Sequence, residues 1–169
     1  MEIRILGPME AEHEGHSLDL GGPRQRLVLA VLLARVNEAV STDRIIEDVW
    51  LGDPPNSARE TVQAYVSTLR RVLEPCRAGT LTARPRGYIA QLDEASVDSL
   101  RFEYLLAEGD RHTPTDPTAA AEMLRDAERL WRGDAYGDLT GSLSLVTEVN
   151  RLGELRLAVT EARIDAELA

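Results

Sequence analysis

Between Asn56 and Arg86 the sequence gathers Arg59, Arg70, Arg71, Arg77, Arg84 and Arg86 against only Glu60 and Glu74, a local balance of +4 in a chain of net charge -10. A guanidinium donates two parallel hydrogen bonds to a guanine edge or a phosphate, and a glutamine amide matches the donor and acceptor of adenine. Arg59, Gln63, Ser67, Thr68, Arg70 and Arg71 are therefore candidates for contacting base edges and backbone of duplex DNA. Arg84 and Arg86 are better suited to phosphate or the minor groove, where they add affinity and salt dependence more than sequence discrimination. Any one of these arginines is as readily a solvated charge or a partner of Glu60 or Glu74. Their coincidence on two adjacent elements carries the reading.

Other chemistries find less support. His13, His16 and His112 are scattered, and no acid, base and nucleophile converge, so no enzyme and no cofactor are expected. His13 and His16 have a spacing that can bind metal, but with Glu12 and Glu14 beside them they read as an exposed turn. Gly21-Gly22-Pro23-Arg24 lacks the lysine and hydroxyl positions of a P-loop and is read as a helix start. Cys76 is the only cysteine, which excludes an intrachain disulfide and suggests a small buried or half-buried residue. The apolar run Leu27 to Ala34 is far shorter than a membrane span, and the N-terminus lacks a signal pattern, so a cytoplasmic location is expected.

The overall acidity would argue against a nucleic-acid partner if it were uniform. It is not: residues 1 to 92 carry 11 Arg against 12 acids, and residues 93 to 169 carry 8 Arg against 17. All basic residues are arginine, which we read first as a coding bias toward GC-rich DNA.

The elements that must position these residues are set by periodicity. Ile3, Leu6 and Met9 alternate with polar residues, and turns at Gly7-Pro8 and Glu14-Gly15-His16 divide the start into two or three short antiparallel strands. Pro23 opens a first helix that runs to about Val36. Ser41 and Thr42 cap a second, lined by Ile45, Ile46, Val49 and Trp50 and stopped by Gly52-Asp53-Pro54-Pro55. The third begins at Asn56 or Ser57 and runs to about Glu74, with Val62, Val66, Leu69 and Leu73 on the core side. Opposite them lie Arg59, Gln63, Ser67 and Arg70, with Glu60, Ala64, Thr68 and Arg71 alongside. Leu81 to Arg84 and Tyr88 to Leu92 form a hairpin around Pro85-Arg86-Gly87, a turn whose glycine can take positive φ.

After residue 96 only amphipathic helices are expected: Val97 to Arg111, Pro117 to Trp131 and Leu145 to Leu168. Leu105 and Leu106 of the first should meet Ala120, Leu124, Ala127 and Leu130 of the second, as in a tetratricopeptide-like array. Such arrays need about three units and a cap, so the natural protein is expected to continue past Ala169. Trp50, Tyr65, Tyr88 and Trp131 are read as core, and Tyr136 is left open.

The order of sheet, helix, helix, long helix and hairpin is that of a winged helix-turn-helix. Gly22-Pro23-Arg24-Gln25-Arg26, Val49-Trp50-Leu51-Gly52, the run Val62 to Arg71 and Arg86-Gly87-Tyr88 resemble the response-regulator type of DNA-binding domain over about the first 92 residues. Val97 to Phe102, Ala119 to Gly133 and Leu152 to Leu168 resemble a bacterial transcriptional activation domain. Together they resemble the actinobacterial antibiotic regulatory family. The resemblance implies an α+β winged helix-turn-helix domain over 1–96 and an incomplete, all-α activation domain over 97–169. It further implies an activator of secondary-metabolite genes that binds direct repeats in double-stranded DNA, as a homodimer there, and recruits RNA polymerase. Thr68 stands where many relatives have arginine, and Glu60 where many have a small neutral residue, which predicts a less basic groove face. With no receiver domain ahead of the DNA-binding part, a phospho-aspartate switch within this chain is not expected. The alternative is a helical protein-interaction module on a winged-helix scaffold that does not bind DNA.

Overall fold

The structure is a computed structural model that describes residues 1–74, 79–139 and 141–169. Cys76 and Arg77, and the expectations attached to them, lie outside the described residues. The chain opens with β1 (Glu2–Arg4), β2 (Glu10–His13) and β3 (His16–Ser17), an antiparallel sheet in that order. Ile3 and Ala11 face each other in register and are buried, whereas Arg4 reaches outward to Glu12 at 2.9 Å. Alternation along the pleat thus puts one face on the core.

Helix α1 (Pro23–Leu33) starts with proline at its first turn, where the missing N–H is not needed. Val28 to Leu33 are all buried, so the C-terminal part of this helix is apolar on every side and sits in the core, while Arg24 at its start stays exposed. It stops three residues before the expected Val36. Asn37 takes a left-handed backbone (φ 63°), and its amide and side chain bond to Ala90 and Leu92, which draws the chain off the helix axis. The chain then enters a strand that periodicity did not predict, β4 (Ala39–Ser41).

Helix α2 (Thr42–Trp50) is capped by Ser41, whose Oγ accepts the Arg44 N–H at 3.1 Å. It ends in a left-handed residue, Leu51 (φ 52°), one position before the expected glycine stop. Helix α3 (Ala58–Leu73) buries Val62, Val66, Leu69 and Leu73, each 1% exposed or less. Burying four such side chains contributes roughly 1.5–3 kcal/mol apiece, ample to fix the helix's rotation about its axis. Strands β5 (Gly79–Arg84) and β6 (Gly87–Leu92) form the hairpin, and β4 adds to its far edge, giving the order β4-β6-β5. This is the expected winged helix-turn-helix.

A short 3-10 turn, Glu94–Ser96, leads to α4 (Asp98–His112), α5 (Pro117–Arg129) and α6 (Leu143–Leu168). Gly109 lets α4 and α5 approach closely, since a Cβ there would lie 2.6 Å from Leu124 Cγ. Ala120, Leu124 and Ala127 are buried in this contact, with Leu105, Leu106 and Leu130 packed at its edges. Phe102 meets Trp131 edge-on at 5.6 Å. Trp50 is buried, and Tyr65, Tyr88 and Trp131 are half-buried against the core, as expected; Tyr136 proves fully buried, in a left-handed backbone with φ 62°.

The apolar core runs unbroken from Ile3 to Ala166. The N-terminal sheet is fastened to the helical half through its backbone. Asp98 accepts the N–H groups of Ile5 and Leu6 at 2.8 and 3.0 Å, and the Ile5 and Leu6 carbonyls accept the N–H groups of Tyr136 and Arg132, each at 2.7 Å. Burial pushes the Asp98 carboxyl above its ordinary range, against the pull of those two amides and of Arg132. No helix among the described residues is long and apolar enough to cross a membrane.

Candidate nucleic-acid interface

Four residues in steps of four, Arg59, Gln63, Ser67 and Arg71, form an exposed row along α3, with Glu60 and Ala64 beside it and Thr68 half-buried at its margin. The expected face is refined at one place. Arg70 is half-buried and turns toward the wing, where its Nε donates to the Leu81 carbonyl at 2.7 Å. It ties α3 to β5, and Arg71 takes its place in the exposed row. The reason is the helical period: residue 70 comes directly after core-facing Leu69, on the flank that meets the hairpin.

Arg84, Pro85 and Arg86 are exposed at the tip of the wing, and Arg84 pairs in register with Gly87. Gly87 does not use a glycine's freedom to take positive φ. A Cβ there would overlap the Val40 carbonyl oxygen, so glycine is required because β4 passes directly over it. A backbone bond extends this contact: the Thr42 N–H at the start of α2 donates to the Arg86 carbonyl at 2.9 Å.

Arg59 is held by Asp43 of α2, not by Glu60 or Glu74. Asp43 was missed in the sequence because its partner is 16 positions away and an acid in a first helical turn already has an explanation in the helix dipole. The first turn of α2 therefore touches both the N-terminal turn of α3, through Asp43, and the wing tip, through Thr42.

The remaining arginines of this face keep their charge uncompensated. Among the described residues Arg70, Arg71 and Arg84 bond to neutral oxygens, and neither they nor Arg86 form an ion pair. In the helical half six of the eight arginines, Arg111, Arg125, Arg129, Arg132, Arg151 and Arg163, are paired with carboxylates; among the described residues Arg101 and Arg156 form no ion pair, and Arg156 lies over the Trp131 ring. Arg151 bridges Glu103 and Glu148, which raises its pKa further above the usual guanidinium value. His13 faces His16 across the β2–β3 turn, and no cluster of three or more metal-ligating side chains occurs among the described residues.

Residues 15–90 match the family described as transcriptional regulatory protein, C terminal, and residues 97–169 match the bacterial transcriptional activator domain. The chain is 34% identical to the regulatory protein AfsR of Streptomyces coelicolor over 99% of its length, covering 17% of that protein. It is 31% identical to the regulatory protein DnrI of Streptomyces peucetius, again over 99% of its length and covering 65% of that protein. A solved structure of Mycobacterium tuberculosis EmbR, in complex with a low-affinity phosphopeptide, superimposes with a TM-score of 0.91 at 30% identity, covering 99% of this chain and 45% of that one. The chain thus spans about a sixth to two thirds of the length of these relatives.

Proposed function

The chain belongs to the actinobacterial antibiotic regulatory family, and on that premise we propose that it is a sequence-specific DNA-binding regulator that activates secondary-metabolite genes. In this reading residues 1–96 are the DNA-binding unit and residues 97–169 belong to the activating one. Arg59, Gln63, Ser67, Thr68 and Arg71 face the major groove, and Arg84 and Arg86 take phosphate or the minor groove. Arg70 contributes mainly by fixing the angle between α3 and the wing, leaving its terminal amino groups for the duplex.

One observation carries the proposal: four arginines without carboxylate partners, Arg70, Arg71, Arg84 and Arg86, lie together on α3 and the wing, while six of the eight in the acidic helical half are paired with carboxylates. A phosphate lattice is the ligand that such a surface is charged to meet. Recruitment of RNA polymerase by the helical half, pairing of two copies on direct repeats and a cytoplasmic location complete the reading. No enzymatic activity is assigned.

The test is fluorescence anisotropy of the full chain on a duplex enriched from a random-sequence pool, titrated with salt. Binding that weakens log-linearly as salt rises over roughly 50 to 200 mM is the expected result. Failure to enrich any duplex, or affinity indifferent to salt, would overturn the proposal in favour of a protein-interaction module.

A further inference from the structure

We infer that Asp43 is a specificity-determining residue of the interface: it holds Arg59 for directed hydrogen bonding to a base edge and withholds it from indiscriminate pairing with phosphate. The inference rests on the DNA-binding reading above. Its starting point is that Arg59 alone, among the described arginines expected to meet DNA, is already paired with a carboxylate.

The pair is not there for stability. Its two side chains are 63% and 81% exposed, and ion pairs so open to water contribute little to folding. Its position suggests what it does instead. Asp43 lies in the first turn of α2, where a carboxylate is favoured by the helix dipole, and Arg59 lies in the first turn of α3, where a cation is disfavoured. The carboxylate therefore stays in place and the arginine comes to it. With the Thr42 N–H fixing the wing tip through the Arg86 carbonyl, Asp43 stands at the junction of the recognition helix and the wing.

A guanidinium has five N–H donors in one rigid plane. Engaging one amino group, Nη2, with Asp43 Oδ1 restricts the rotation of the whole plane and leaves other donors to face the groove. Restriction of this kind favours an acceptor pair at one fixed place, such as guanine O6 and N7, over a phosphate oxygen found at many. The carboxylate also offsets the charge of the guanidinium, so Arg59 gains less from a phosphate in a non-specific register.

The test compares the full chain with Asp43→Asn, Arg59→Ala and the double variant on the enriched duplex and on a scrambled one. Asp43→Asn is expected to tighten binding to the scrambled duplex several-fold and to lower the ratio of specific to non-specific affinity about tenfold, with base preference relaxed at one or two adjacent positions. In the Arg59→Ala background the same change should leave the ratio unmoved. Arg59→Lys, which keeps the charge and loses the planar fork, should also lose discrimination, and thermal melts report whether each variant is folded. An equal shift on both duplexes, or an Asp43→Asn effect that persists without Arg59, overturns the inference while leaving DNA binding intact. A wild-type chain that enriches no duplex overturns the DNA-binding reading itself and this inference with it.

Discussion

The Ser144 hydroxyl donates to the Asp48 carboxylate at 2.6 Å, so the second helix of the winged half caps the last helix of the chain. Asp48 is 2% exposed and is further compensated by the Ser144 N–H at 3.2 Å and Arg44 Nε at 3.1 Å. Ser144→Ala removes one charge-assisted bond from a buried acceptor and is expected to cost about 1.5–3 kcal/mol, measured by urea denaturation. A loss below about 0.5 kcal/mol would mean that Arg44 and the amide suffice.

Asp98 offers a second test of the same junction. Asp98→Ala strands the Ile5 and Leu6 N–H groups in the interior and should destabilise by about 2–4 kcal/mol. Because burial raises this carboxyl above its ordinary range, the folded state holds its proton more tightly than the unfolded chain does. Its contribution is then full below the ordinary carboxyl range and declines as pH rises through the higher folded pKa. Urea midpoints measured from acid to neutral pH should show this decline in the wild type and not in Asp98→Asn.

Two glycines should respond in opposite directions. Gly87→Ala forces a methyl group onto the Val40 carbonyl and must separate β4 from β6, an expected loss of more than about 2 kcal/mol together with reduced DNA affinity as the wing shifts. Gly153, within α6, has nothing within 4 Å of the added Cβ, so Gly153→Ala should stabilise by about 0.5–1 kcal/mol through helix propensity. Thermal melts of the two variants check both signs.

On DNA, Gln63→Ala should reduce the preference for an enriched duplex over a scrambled one, whereas Arg86→Ala should weaken both alike and lower the salt slope by about one. Equal losses on both duplexes for Gln63→Ala would refute its assignment to a base edge.

Much of α3 is legible in the residues alone. Val62, Val66, Leu69 and Leu73 announce the helix and its polar face because a helix repeats its burial every three to four residues. Strand β4 was illegible: three residues are too few to show alternation, and Ser41 already reads as a helix cap. Gly87 was legible as a requirement but not for its reason, since only the pairing of β4 with β6 brings Val40 against it. Arg59 and Arg70 were legible as candidates and not as bonded groups, because Asp43 and Leu81 reach them through tertiary packing. Asp98 gave no sign beyond an acid at a helix start.

The backbone bonds from Ile5 and Leu6 to Asp98, Arg132 and Tyr136 bear on modularity. A chimera that exchanged everything after residue 96 for an unrelated helical partner would leave two buried amides and two carbonyls of the first strand's extension without mates. Recombination that respects the fold must keep the first ten residues together with the helices they bond to. A piece of this protein bonded closely to its helical half is thus the one farthest from it along the chain.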